Sequence, residues 1–279
     1  GEPFGSTSIC AGWYVMREAR RAGLTVMLDG QGGDEILAGY RASFGYRLSD
    51  LLRGGRVAEA TAELRSFASV NGPRWAAVAL ASPHVPERVR LAARARLRGT
   101  STLAGTELRH EGASSAVNGA VFPDRLRRQL HLLLTHRGLP ELLRYEDRNS
   151  MVHSLEARVP LLDHRLVELA FSLDGGELIR RGETKSVLRR ALADLLPREV
   201  RERRDKLGFV TPEVRFLRGR LGELAQDVFA SASFAQRGFV DAVAARKRLE
   251  RHRRGELDAG FELWRALNLE LWARRFVDA

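Results

Sequence analysis

One short stretch of this sequence limits what the chain can fold into. Leu24–Leu28 (LTVML) is apolar and partly β-branched, and a glycine-rich segment, Asp29–Tyr40 (DGQGGDEILAGY), follows it at once. That is the pattern of a strand running into a ligand-facing loop. Almost everything else carries helical periodicity. Ile9–Arg21 reads as a helix closed by Gly23, and Asp34–Tyr40 as the start of another. Leu48–Arg98 reads as helix after helix, broken at Gly54-Gly55, at Gly72-Pro73 and by Pro83 and Pro86. Further helices are expected at Pro123–Leu134, Pro140–Leu155, Asp163–Leu173, Thr184–Leu196, Leu221–Ala230 and the chain end, with a loop or insertion at Gly99–Gly119. A strand of this kind normally sits in a parallel sheet, yet no other stretch reads as its partner. The expectation is an α/β fold in which this chain is predominantly α-helical with one clear core strand. The strand's neighbours would come from outside the sequence, whose opening (GEPFG) reads as the middle of a protein.

In the loop, Gly30, Gly32 and Gly33 permit unusual backbone angles and close approach to a ligand. Ligands of open α/β sheets bind at the carboxyl ends of strands, where this loop falls. Asp34 and Glu35 follow at a helix start, where the dipole favours acids and where a carboxylate can hold Mg²⁺ beside phosphates. A tight turn with ordinary acidic capping is the competing reading.

A second segment, Leu142–Leu173, begins as an apolar helix face at Leu139, Leu142 and Leu143. Arg144–Ser150 then runs for about two turns with Tyr145 as its one apolar side chain. This suggests a helix crossing a polar cavity; a solvated stretch held by Arg144 and Asp147 at i,i+3 is the alternative. Pro160 forces Val159 to be extended, and Asp163 reads as an N-cap. Glu156 and Arg158 are thereby expected to be pinned between packed helices, where charges must be paired or used. His153 and His164 read as packing or surface residues.

Lysine occurs only at Lys185, Lys206 and Lys247 in a chain that otherwise uses arginine. A compact ammonium suits a crowded phosphate better than a guanidinium. Lys206, in the charged loop Arg204–Phe209 (RDKLGF), is the strongest of the three. Lys185 opens a helix, and Lys247 reads as helix surface. The net charge of +11 comes from arginines spread along the whole chain. Tracts such as Arg88–Arg98 lack the interleaved aromatics of a nucleic-acid platform, so no nucleic-acid partner is expected. The longest apolar run, Trp75–Ala81, is far too short for a membrane span. A lone Cys10 points to a reducing, cytoplasmic compartment. The final stretch places Phe261, Trp264, Leu267, Leu271 and Trp272 at helical spacing, as core packing.

Taken together and in this order, several segments resemble the glutamine-hydrolysing asparagine synthetase family. They are Glu2–Ser8, Leu28–Tyr40, Arg144–Glu168, Gly182–Lys185, Lys206–Phe209 and Leu263–Phe276; the run Asp147–Glu168 (DRNSMVHSLEARVPLLDHRLVE) is the most specific. The resemblance is weakest over Ser49–Val121. Residues 1–279 therefore read as the C-terminal portion of one synthetase-type domain, with a variable region at 49–121. The implied fold is a parallel nucleotide-binding sheet of the adenine nucleotide alpha hydrolase type, with a large helical remainder.

The implied chemistry uses ATP and Mg²⁺ to adenylylate the side-chain carboxylate of aspartate, releasing pyrophosphate. Ammonia, delivered from glutamine by an N-terminal glutaminase domain, then displaces AMP. By resemblance, Asp29, Gly30, Gln31 and Gly32 line the ATP site, and Asp34 helps to hold the metal. Lys206, Gln31 and Glu156 are the catalytic candidates, and Arg148 and Arg158 position substrate. Two departures matter. The family's Ser-Gly-Gly-x-Asp-Ser loop is missing, since no Ser-Gly pair occurs in the chain. The loop position that is commonly glutamate in aspartate-specific members is Gln31, which can neither act as a base nor bind an ammonium by charge. Asp29 is the nearest acidic substitute. Gln31 keeps open a cyclase or amidotransferase acting on another carboxylate; a non-catalytic binding module is the least favoured reading. A homodimer is left open.

Overall fold

The computed structural model describes residues 1–81, 103, 122–203 and 208–278, which divide into two compact units. One comprises described residues 16–81 and 122–203; the other comprises 1–15, Leu103 and 208–278. Helix α1 (Thr7–Arg21) leads through Gly23 into strand β1 (Val26–Leu28), close to the expected bounds. Helix α2 (Gly33–Ile36) is a single turn rather than a helix reaching Tyr40. Ala38 takes a positive φ of 55°, and the Gly39 N–H turns back to the Asp34 carbonyl at 2.9 Å, which ends the helix.

Helices α3 (Arg41–Arg53), α4 (Val57–Asn71) and α5 (Pro73–Ala81) follow, separated at the expected glycines. After them come α6 (Arg125–Thr135), capped by Asp124, and α7 (Leu139–Met151), with Pro140 in its first turn. Phe44 and Phe67 stack with ring centroids 4.0 Å apart. Around them Ile36, Leu48, Leu126, Leu130, Leu178 and Ile179 are at most 1% exposed. Because Ile36 and Leu37 belong to this core, it anchors the far end of the glycine loop.

The expectation that β1 finds no partner within the sequence is overturned. Strand β2 (Glu156–Arg158) pairs with it in parallel, matching Val26 with Glu156, Met27 with Ala157 and Leu28 with Arg158. Helix α7 stops at Met151, short of the expected Leu155, and Ser154 takes a φ of 55°. Pro160 keeps Val159 out of the helical region. The residues between are left extended, and their backbone groups complete the ladder with Thr25 and Asp29. Glu-Ala-Arg has no strand composition, so its pairing is imposed by the turns on either side.

A 3₁₀ turn (Pro160–Leu162) and helix α8 (His164–Ser172), capped by Asp163 as expected, lie beyond β2. Helix α9 (Gly175–Leu178) then leads to an antiparallel hairpin of β3 (Ile179–Arg180) and β4 (Glu183–Thr184), followed by helices α10 (Ser186–Ala191) and α11 (Arg198–Arg201). Thr184 belongs to the hairpin, so the helix expected from that residue starts later and is shorter.

The other unit is helical: α12 (Glu213–Arg218), α13 (Arg220–Ala230), α14 (Ala232–Gln236), α15 (Ala242–Arg253) and α16 (Gly260–Phe276). The Glu213 carboxylate accepts from the Ser6 hydroxyl, the Thr7 hydroxyl and the Thr7 N–H at 2.8–3.0 Å, which satisfies the start of α1. Helix α16 buries Leu263, Trp264, Ala266 and Leu267. Phe261 and Leu271 were expected in the core but are 43% and 36% exposed, because the buried face is offset around the helix. The readings of Gly99–Gly119 as a loop (Leu103 apart), of Arg88–Arg98 as a solvated helix and of Lys206 as a site residue fall outside the described residues. Among the described residues, no helix is long and apolar enough to cross a membrane.

Candidate active site

The glycine loop leaves the carboxyl end of β1 and folds back against the 3₁₀ turn after β2. At Gly32 the backbone is left-handed (φ 87°), and a Cβ there would run into the Leu162 side chain. Only glycine satisfies both demands. Gly30 is different, since a Cβ there would meet nothing. Asp29 closes the loop on itself, its Oδ1 accepting the Gln31 N–H at 2.9 Å.

Two clusters gather at this loop. In the first, Asp34 on α2 lies 2.6 Å from the Lys185 ammonium, and each side chain is about a third exposed. Lys185 gets there through an ordered chain of supports. Buried Glu63 on α4 accepts the N–H groups of Arg181 and Gly182 at 2.7 and 2.8 Å. Both of those residues have positive φ, 51° and 73°, as a two-residue hairpin turn of the I′ type requires. The hairpin sets down Lys185, itself at φ 55°, with its N–H on the Leu37 carbonyl at 3.2 Å. Gly39 leaves the room, because a Cβ at that position would strike both the Asp34 carboxylate and the Lys185 side chain. A non-glycine residue held left-handed beside the glycine loop is the sort of strain that collects at functional sites. Next door, buried Glu35 accepts the Tyr40 hydroxyl at 2.5 Å. Burial, that hydrogen bond and the charges of Glu35 and Asp34 push the phenol well above its ordinary range.

In the second cluster, Glu146 reaches from α7 to the side chains of Asp29 and Gln31. Burial, then the hydrogen bond to Asp29 and the Asp29 charge, push its carboxyl from 4.5 up to about 7; the Gln31 hydrogen bond works weakly the other way. This is the polar band of α7 meeting the loop. The sequence marked the band, but it did not single out Glu146, because a run of Arg, Tyr, Glu, Asp and Arg does not say which side chain faces inward.

The structure therefore brings together Asp29, Gln31 and Glu146, and separately Asp34 and Lys185. The Glu156 and Arg158 side chains are not pinned in an interior. They sit on the open side of β2, 59% and 58% exposed, and pair with each other at 2.8 Å. That contact holds the Glu156 carboxyl below its ordinary range. Arg158 touches the loop through its backbone, its carbonyl accepting the Asp29 N–H. Arg148 is exposed on α7, and His164 is a surface residue, as expected. Among the described residues, no group of three or more His, Cys, Asp or Glu side chains is arranged to hold a metal ion.

A parallel strand pair whose carboxyl end runs through a glycine turn into a helix start, inside a large helical remainder, defines an α/β protein. The chain belongs to the asparagine synthase family, whose profile matches residues 1–274. Relatives in Mycobacterium tuberculosis and Mycobacterium bovis, provisionally named as glutamine-hydrolyzing asparagine synthetases, are 30% identical over 304 residues. That similarity covers 99% of this chain and 43% of each relative. Asparagine synthetase (glutamine-hydrolyzing) 3 of Bacillus subtilis is 38% identical over 84 residues, 30% of this chain and 14% of that protein. The chain thus spans less than half the length of these relatives.

Proposed function

We propose that this chain forms part of an ATP-dependent amide-forming ligase, with residues 1–279 as the C-terminal portion of its synthetase domain. The carboxylate attacks the α-phosphorus of ATP, and pyrophosphate leaves with the electrons of the broken P–O bond. The nitrogen nucleophile then adds to the acyl carbon, loses a proton, and expels AMP. With aspartate as the carboxylate and ammonia from glutamine as the nucleophile, the product is asparagine. Family membership over nearly the whole chain carries this reading, and the loop at the end of β1 supports it.

On this reading Asp29, Gly30, Gln31 and Gly32 would line the nucleotide and acyl-adenylate. Lys185 supplies a positive charge next to them, and Lys206, from its sequence setting, supplies the second. Mg²⁺ takes one or two carboxylates and completes its shell with phosphate oxygens and water. Asp34 fits as one such donor, with Lys185 turning from it to the phosphates; the metal would neutralise phosphate charge. Arg148, Arg158 and Glu156 remain the proposed residues for orienting the carboxylate substrate.

The test is ATP–pyrophosphate exchange and amide formation by the intact protein, with aspartate as substrate and glutamine or ammonia as donor. Aspartate-dependent exchange followed by asparagine is the expected result. Exchange with another carboxylate and none with aspartate would favour the cyclase or amidotransferase reading, to which Gln31 gives some support. No exchange with any carboxylate would end the ligase reading. The 279-residue chain alone, which contains no Ser-Gly pair for a pyrophosphate loop, is expected to be inactive in the same assay.

A further inference from the structure

We propose that Arg189 is a positioning residue for adenylylation, tying the chain at Arg201 and Arg203, just ahead of Lys206, to the hairpin that sets down Lys185. The inference rests on the ligase reading and deepens it. Arg189 stands on α10, and its N–H donates to the Lys185 carbonyl at 3.1 Å. Its guanidinium faces backbone carbonyls of two separate segments. Nε donates to the Thr184 carbonyl at 3.3 Å, one Nη to the Arg203 carbonyl at 3.0 Å, and the other Nη to the Arg201 carbonyl. Among the described residues this guanidinium forms no ion pair, so its charge goes to main-chain oxygens. Arg201 closes α11, and a carbonyl at a helix end needs a donor, so capping accounts for that one contact. It does not account for Thr184 or Arg203, which lie outside any helix. The anchor itself is rigid. Thr184 pairs with fully buried Ile179 across the hairpin, and Glu63 holds the turn by the N–H groups of Arg181 and Gly182. A planar fork bridging two segments fixes their separation and direction, which a flexible ammonium does not. Lys206 follows Arg203 by three residues in the sequence. The stretches leading to Lys185 and to Lys206 therefore start from one fixed point. Misplacing a catalytic group by about 1 Å can cost about 10²-fold in rate, which is what such a tether prevents.

The experiment is a double-mutant cycle in the intact protein, read by aspartate-dependent ATP–pyrophosphate exchange. Arg189→Met keeps much of the apolar stem and removes the fork. It should lower the maximal exchange rate by about 10–10², while the ATP concentration for half-maximal rate moves by less than about threefold. Introduced into Lys206→Ala, the same substitution should cost less than about threefold more, because the residue it positions is already gone. Arg189→Lys restores the charge without the fork and should recover only part of the rate. If Arg189→Met fails to fold, Arg189→Lys takes its place in the cycle, with a smaller loss and the same non-additivity. Losses that multiply across the two backgrounds would make Arg189 a support for the fold and overturn the proposal. So would an unchanged exchange rate in Arg189→Met. Absence of exchange in the unsubstituted protein would instead reject the ligase reading, and the proposal with it.

Discussion

Glu270 in the helical unit and Glu146 in the loop-bearing unit are the same side chain in opposite surroundings. Glu270, on α16, is 2% exposed and accepts from Arg237, Arg274 and Ser233 at 2.8–3.0 Å. Burial pushes its carboxyl up, but the hydrogen bonds from Arg237, Arg274 and Ser233 together outweigh burial and hold it below the ordinary value. Glu146 loses water too, but its partners are a second carboxyl and an amide, so its proton is held up to about pH 7. One region uses a buried acid to fasten helices together. The other keeps an acid that works against the fold, and such an acid is a functional candidate on physical grounds.

Several measurements would sharpen or break that contrast. The largest effect is expected from Lys206→Ala in the intact protein: on the proposed role of Lys206 at the α-phosphate, loss of that charge should slow adenylylation by about 10²–10³. Its unfolding midpoint should stay put. An unchanged rate of pyrophosphate release would return Lys206 to the surface. Glu270→Ala should do the reverse. It removes the buried acceptor shared by Arg237, Arg274 and Ser233, leaving Arg237 with Asp278 and Arg274 with the Ser231 and Ser233 hydroxyls, and should lower the unfolding free energy by about 1–3 kcal/mol in a urea titration, with the rate per folded molecule unaltered. A stability loss near zero would show that the Glu270 network is ornamental.

Gly39→Ala tests whether the Asp34–Lys185 pair matters in its present geometry. The added methyl group should force the pair apart, costing about 1–3 kcal/mol of stability and also slowing exchange. If stability falls while exchange does not, the pair is structural. Smaller again is the pH effect. Folded Glu146 keeps its proton to about pH 7, whereas an unfolded glutamate releases it near 4.5. Between those values the folded chain binds more protons, so stability should fall as pH rises, by on the order of 1 kcal/mol for a group half open to water. Glu146→Gln should flatten that slope. Glu270 runs the other way: its contribution is fully present above pH 4.5 and is lost as pH falls through its lowered folded value. Thermal melts of the unsubstituted protein, Glu146→Gln and Glu270→Gln from about pH 3 to 8 would show whether the slopes separate.

The sequence by itself determined what is local. The strand at Leu24–Leu28, the glycine loop, the helix breaks at Gly54-Gly55 and Gly72, and the Asp163 cap all rest on backbone preferences of a few neighbouring residues, and the structure repeats them. The long DRNSMVHSLEARVPLLDHRLVE run carried the family, and the matched profile agrees. Tertiary structure alone decided which distant pieces meet. Glu156–Arg158 pairs with β1 because turns on both sides hold it extended, although its composition gives no hint of a strand. Lys185 comes to Asp34 because Glu63, far away in sequence, clamps the hairpin before it. Glu146 meets Asp29 and Gln31 because α7 brings it to the glycine loop, more than a hundred residues away along the chain. Such contacts are set by the summed packing of many side chains, and no residue pattern along the chain encodes them one by one.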